Sequence, residues 1–399
     1  MKLLSLACSL LIFTVLFGCS SKDSDEDDVT ENLTLTGVSE FTANEQTQYI
    51  TVASNLDWSV SVNADWITVS PISGSDNGTV YVTAQTNTTF NNRTGSVTVS
   101  GGNISRVVSV SQAAGEETGV LDPNNPPSDN FDLSTWKLSI PDDQGNGTAS
   151  TISVSDIQGY QNSSYFYTAS DGGMVFKCPV AGFTTSENTS YTRVELREML
   201  RGTNTSIGTQ GVNGNNWVFG TAPTSDINAA AAYDGVMNAT LAVNHVTTTG
   251  SSSHIGRVII GQIHANNDEP IRIYYRKLLN NELGSIYFAH EPTDGNGDEQ
   301  WHEMIGSRSN SAANPEDGIA LNEVFSYTIK VVGDSLTCTI IREGKPDVIK
   351  TIDMVNSGFN VGGQYMYFKA GVYHVNNSGN DDDYVQATFY ALDKSHTTN

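Results

Sequence analysis

Three short segments gather side chains suited to acid–base work on an anion. In Tyr191-Thr-Arg-Val-Glu-Leu-Arg197, the residues Arg193, Glu195 and Arg197 recur at spacing two. In Arg257-Val-Ile-Ile-Gly-Gln-Ile-His264, Gln262 and His264 flank Ile263. In Tyr365-Met-Tyr-Phe-Lys-Ala-Gly-Val-Tyr373, the same spacing joins Tyr367, Lys369, Gly371 and Tyr373. Side chains alternate across a strand, so each set shares a face while Val194, Leu196 and Ile263 point the other way. Gly371 is expected to leave that face open between Lys369 and Tyr373. Singly, each row is an ordinary solvated strand face. Together they offer two arginines, a lysine, an amide, an imidazole and a phenol, which suits an anionic, hydroxyl-rich substrate. Arginine's planar fork matches a carboxylate. Imidazole titrates near neutrality, and a phenol with an ordinary pKa of about 10 is a natural proton donor. Arg272, Tyr274 and Arg276 also share a face and are expected to extend the cleft.

The elements that position these rows must be strands. Glycine is abundant (36 of 399 residues), only 16% of residues are charged, and Thr, Ser, Asn and Val are plentiful. That is the composition of an all-β protein with many turns, and the length predicts two or three domains. Twenty Lys and Arg stand against 44 Asp and Glu, a net charge of −24, which argues against nucleic acid as a partner. Residues 33–114 alternate as strands, for example Thr79-Val-Tyr-Val-Thr83 and Gly95-Ser-Val-Thr-Val99. Turn signals at Ser73-Gly74, Asn77-Gly78 and Gly101-Gly102 separate them, and a small β-sandwich is predicted. Residues 115–130 read as a Pro/Asn/Asp-rich linker. Residues 131–399 form a second strand-rich block, long enough for one jelly roll.

The N-terminus reads as an address. Residues 1–18 carry Lys2 and an apolar run from Leu3 to Phe17, as in a signal peptide. Leu16-Phe17-Gly18-Cys19 resembles a bacterial lipobox, which implies cleavage before Cys19 and a lipid on it. Within the acidic tether 19–32, the run from Ser20 to Asp28 resembles the export signal of Bacteroidetes lipoproteins; a plain solvated spacer is the other reading. The expectation is a monomer held on the outer membrane by its lipid and exposed at the cell surface.

The three chemical segments resemble the signature motifs of the alginate lyases of polysaccharide lyase family seven. Phe131 to Leu138 at the start, and Phe389 to Leu392 with Ser395-His396 at the end, fit the same family, so the resemblance covers nearly all of 131–399. Val194 departs from it, standing where the family often has Thr or Ser; its inward side chain leaves the active face unaffected. The first block resembles a BACON module, an immunoglobulin-like sandwich. That likeness rests on Trp58, Trp66-Ile67, Pro71, Gly74, Asn91, Arg93-Thr-Gly95 and Val110-Ser-Gln112. Trp58 and Trp66 are read as core packing, with sugar-stacking platforms as the alternative.

The lyase resemblance implies a concanavalin-like jelly roll that cuts alginate by β-elimination, leaving a 4,5-unsaturated uronate at the new non-reducing end. On that scheme Arg193 and Gln262 hold the C6 carboxylate and absorb the charge that develops on it. His264 is the base for guluronate with Tyr373 as the acid. For mannuronate Tyr373 does both, with Lys369 favouring its phenolate. Glu195 orients its arginine neighbours, while Arg197, Tyr367 and Lys369 contact substrate. No metal or other cofactor is required. Ile263 between Gln262 and His264 is associated with guluronate-containing stretches, and endolytic cutting is expected. The competing readings are a glycan-binding lipoprotein without catalysis, a lyase on another polyuronate, and a glycoside hydrolase. The last needs paired carboxylates, and no such pair shares a strand face. Cys178 and Cys338 are open to a disulfide or to burial as thiols. Asp381 to Asp383 read as a solvated loop, with calcium as the alternative.

Overall fold

The computed structural model describes residues 30–87, 93–113 and 121–398. The signal segment 1–18, Cys19, the acidic run from Ser20 to Asp28, Asn91 and linker residues 115–120 lie outside the described residues. The chain divides into two compact units between residues 115 and 116.

The first unit is a sandwich of two four-stranded antiparallel sheets. One contains Leu33–Leu35, Gln46–Ser54, Gly78–Ala84 and Ile67–Ser70; the other contains Ser73–Ser75, Asp57–Val62, Arg93–Gly101 and Ile104–Gln112. Alternation puts Ile50, Val52, Val80, Val82, Val97, Val99 and Val110 between the sheets, fully buried. Trp58 belongs to this core. Its indole Nε1 donates to Asp76 O at 2.9 Å, and Gly74 and Gly78 lie against its ring. Trp66 is half-buried beneath the Arg93 guanidinium, 4.4 Å from the ring centroid.

The second unit stacks two larger sheets. The first runs Ala149–Ile152, Trp136–Asp143, Arg193–Glu198, Tyr367–His374, Arg257–His264, Ile271–Arg276, Leu283–His290, Gln300–Ile305, with Ile319–Ala320 paired to Leu283–His290. The second runs Phe166–Thr168, Met174–Pro179, Tyr384–Thr397, Ala232–His245, Val324–Val332, Ser335–Ile341, Val348–Asp353. Pairing is antiparallel except where Trp217–Val218 joins Ala232–His245. Val194, Leu196, Ile263, Phe368, Ala370 and Val372 line the inner face of the first sheet. Phe176, Met237, Leu241, Tyr327 and Phe389 meet them from the second, all buried. The predicted all-β jelly-roll class is what the chain adopts.

A carboxylate also lies on that inner face. Glu198 follows the alternation of Val194 and Leu196 and is fully buried. Its carboxylate accepts from Trp217 Nε1 at 3.2 Å, Phe368 N at 3.0 Å and His396 Nε2 at 2.8 Å, and pairs with Lys394 at 3.0 Å. Burial would raise its pKa, but His396, Lys394 and these donors hold it at about 2.

Two expectations change here, and one open reading is settled. The linker is shorter than 115–130. Asn130 bonds Asp122 and Gly172, Pro127–Asn130 forms a helical turn, and Leu121 packs on the core of the second unit. Cys178 and Cys338 are free buried thiols, and burial pushes Cys178 up to about 12. The Asp383 carboxylate accepts from Thr248 N, Thr249 N and Thr249 Oγ1, so it ties down a loop.

Candidate active site

Register brings the three predicted rows together. Arg193 pairs with Tyr373, Glu195 with Gly371 and Arg197 with Lys369; across the next ladder Lys369 pairs with Gln262 and Tyr367 with His264. Residues paired across a ladder project to the same side. All of these side chains therefore share the outer face of the first sheet. A bulge between Ile259 and Gly261 adds Ile259 to that face, opposite Tyr373 and Tyr274. Ile259, Tyr274, Tyr287, Ala289 and Val375 form an apolar floor there, flanked by Tyr191, Trp301 and Tyr373.

Glu195 is the hub. Its Oε2 lies 3.1 Å from Arg193 Nη1 and is also bonded by Lys369 Nζ, while its Oε1 accepts from Gln262 Nε2. It is 2% exposed. Burial would raise its pKa; Lys369 and Arg193 outweigh this and hold it below the usual carboxylate range. Burial lowers Lys369 to about 8, with Arg193 adding to the effect, so the lysine is still cationic at neutral pH. Arg193 Nε is buried without a hydrogen-bond partner, and Gln262 keeps its second amide hydrogen. Each side chain therefore keeps a donor that Glu195 does not use.

His264 is defined on three sides. Nδ1 lies 2.6 Å from Ala265 O, an acceptor only, which puts the ring proton on Nδ1 and leaves the lone pair on Nε2. The ring stacks on Tyr367 at 5.1 Å and 9°. Nε2 is 3.3 Å from Glu269 Oε1. Burial, then Lys369, lowers its pKa to about 3, so the imidazole is neutral at physiological pH. Tyr373 lies under the Arg193 guanidinium at 3.9 Å and against Tyr191 at 6.1 Å. Burial raises its pKa despite Arg193. Lys369 was expected to favour the phenolate; it sits 5.9 Å from the ring and is bonded to Glu195, and Tyr373 stays protonated.

Other predicted residues sit differently from expectation. Glu195 orients Arg193 but not Arg197. The Arg197 guanidinium lies over Tyr367 at 3.8 Å and donates to Glu198 O, Thr209 O and Asn216 Oδ1, fastening the segment 199–216. Arg276 is 2% exposed and donates to Arg308 O, Asn310 Oδ1 and Ser252 O, so it anchors loops and does not line a cleft. Tyr274 is floor, stacked on Tyr287 at 5.1 Å. Arg272 is ringed by Glu269 at 3.5 Å, Glu291 at 3.0 Å and Glu299. Ile263 is in the core, so any influence on specificity passes through the backbone of its neighbours. Gly371 has φ +132°, and a Cβ there would meet Val194 O at 2.6 Å and the Phe176 ring at 3.0 Å. Glycine is thus demanded by the backbone and the core, not by openness of the outer face.

Sequence reasoning missed Tyr191, Ile259, Glu269 and Glu291. Tyr191 was readable, being two residues before Arg193. The other three are not, because a bulge and two loops bring them in.

A site built of carboxylate-binding donors beside a neutral imidazole and a protonated phenol has a counterpart among known proteins. The family model described as alginate lyase matches residues 131–396. The chain belongs to the alginate lyases of polysaccharide lyase family 7. It is 57% identical to an alginate lyase of Klebsiella pneumoniae over 279 residues, covering 68% of this chain and 91% of that protein. The crystal structure of the alginate lyase from that organism aligns at a TM-score of 0.67 and 56% identity, over 68% of this chain and 98% of that one. The family-7 alginate lyase A1-II′ aligns at 0.50 and 27% identity, over 69% of this chain and all of that one. Its His→Asn, Tyr→Phe double variant in complex with the substrate GGMG aligns at 0.50 and 26%, over 69% and 99%. A second family model, BACON, a putative N-terminal binding domain, matches residues 56–113. The enzyme is a polysaccharide lyase, and alginate is its substrate.

Proposed function

We propose that this lyase cuts within guluronate-containing stretches of alginate by β-elimination. His264 takes the C5 proton and Tyr373 protonates the departing O4. The observation that carries the proposal is the convergence of Arg193, Gln262 and Lys369 on the buried Glu195, beside a neutral His264 and a protonated Tyr373. Removing the C5 proton drives charge onto the C6 carboxylate. Preorganised donors that meet that charge lower the barrier most. The Arg193 guanidinium, on a side chain 13% exposed, and the Gln262 amide are the donors assigned to it. A neutral imidazole is a competent base, and a phenol whose pKa is raised is an acid at neutral pH. Guluronate and mannuronate differ in configuration at C5, so a base fixed on one side of the ring favours one of them. The substrate complex of A1-II′, in which a histidine and a tyrosine are replaced, agrees with one residue of each kind acting in that protein.

The test incubates the protein with polyguluronate and polymannuronate and follows the ultraviolet absorbance of unsaturated ends, with product sizes measured early. Rising absorbance on polyguluronate, long early products, and loss in His264→Ala and Tyr373→Phe are expected. Absorbance rising only on polymannuronate, or unaffected by His264→Ala, refutes the assignment. For localisation, Gly18-Cys19 and the acidic run that follows support a lipid-anchored, surface-exposed protein. Cys19→Ala should abolish incorporation of labelled fatty acid.

A further inference from the structure

If His264 is the base, its proton must then leave, and the surroundings oppose its staying. Lys369 and Arg193 face the imidazole and disfavour a second positive charge, with Tyr367 stacked on the ring; Glu195, paired with the lysine, acts in the opposite sense. Nδ1 is committed to Ala265 O. Nε2 meets Glu269 at 3.3 Å. From there a row of carboxylates leads outward. Glu269 is held by Arg272 at 3.5 Å, and Arg272 also holds Glu291 at 3.0 Å and Glu299. The Glu291 N–H donates to Glu269 O at 3.0 Å, which fixes the two residues side by side. Their side chains are 16% and 37% exposed, so the row opens towards solvent.

We propose that Glu269 is a positioning residue that accepts from His264 Nε2 the proton taken from C5 and passes it through Glu291 to water. The inference rests on the base assignment above. In the first step the C5–H bond breaks and an Nε2–H bond forms. The electron pair becomes the C4–C5 double bond, and O4 leaves with the proton of Tyr373. In the second step Nε2–H breaks as O–H forms on Glu269. Glu291 and then water receive that proton, His264 regains its lone pair, and Tyr373 is reprotonated from solvent. Burial and its hydrogen bond to Glu269 raise Glu291 to about 7, which suits a group that loads and unloads near neutrality.

The test uses the full-length protein and polyguluronate. Glu269→Gln keeps the shape and removes the acceptor. Its kcat should fall about tenfold or more, with KM within about twofold and an unchanged melting temperature. Added formate or imidazole should restore the rate in proportion to its concentration, with no such response in the wild type. Glu291→Gln should lose less and show the same rescue. A kcat for Glu269→Gln within about twofold of wild type, or a loss that no buffer base repairs, overturns the proposal. Retained activity in His264→Ala would instead sink the base assignment on which the proposal rests, and it is read independently of Glu269.

Discussion

Glu195 accepts from Arg193, Gln262 and Lys369 while almost wholly buried. Glu195→Gln leaves Lys369 buried without its counter-ion, and breaking such a pair costs about 3–5 kcal/mol. Urea denaturation should show that loss, and kcat/KM on alginate should fall with it. His264 and His374 give a second prediction. Burial lowers them to about 3 and about 4, against an ordinary value near 6.5. Between those values and 6.5 the unfolded chain binds protons that the native state refuses. Stability is therefore complete above pH 6.5 and falls as pH drops towards 4 and then 3, by about 1.4 kcal/mol per pH unit for each imidazole. Melting temperature against pH checks this, and His264→Gln should flatten the slope. At this scale the sequence was informative where chemistry and alternation coincide. Arg193, Gln262, His264 and Tyr373 do share one face. The surroundings of Arg272 and Arg276 were not legible because their partners, Glu291, Glu299, Arg308 and Asn310, arrive from distant loops that no local spacing reveals.

At the scale of elements, the Tyr367–His374 strand carries the site because both of its ladders are filled: Arg193–Glu198 on one side and Arg257–His264 on the other. Gly371 makes that fit possible. Gly371→Ala must place a Cβ against Val194 O and Phe176 at a positive φ, a strain of order 1–3 kcal/mol. Chemical denaturation should show the loss, and kcat should fall too, because Tyr373 and Lys369 flank the strained residue. Period-two alternation located this strand and its exposed face. It did not reveal the bulge in Arg257–His264, since a bulge is a mismatch between two strands and one strand's pattern is silent about it. Alternation does carry Glu198 onto the core face with Val194 and Leu196, but it does not say what offsets the charge there. A charge on an apolar face is intelligible only once Lys394 and His396 are seen opposite.

At the scale of the whole molecule, the net charge of −24 opposes a polyanion, and the carboxylates around Arg272 add to that opposition near the site. Added salt screens long-range repulsion beyond about 10 Å at 0.1 M and leaves short contacts nearly intact. Initial rates on alginate should therefore rise with moderate salt before falling; a fall from the lowest salt upward would contradict this. The linker reading has its own consequence. A fragment starting at Glu116 should melt several degrees above one starting at Phe131, which lacks Leu121 and the Asp122–Asn130 bonds; a deficit of about 1–2 kcal/mol has that effect.

Glu198 bears on the moment at which the fold can close. Its partners Lys394 and His396 lie at the far end of the chain, on Tyr384–Thr397, a strand flanked on both sides within its sheet. A ribosome delivers residues in order. The described strands of the first unit end at Gln112, but the second lacks an interior strand of one sheet, and the counter-ions of its buried carboxylate, until residues 384–397 are present. The second unit therefore cannot close around its core until residues 384–397 have joined it.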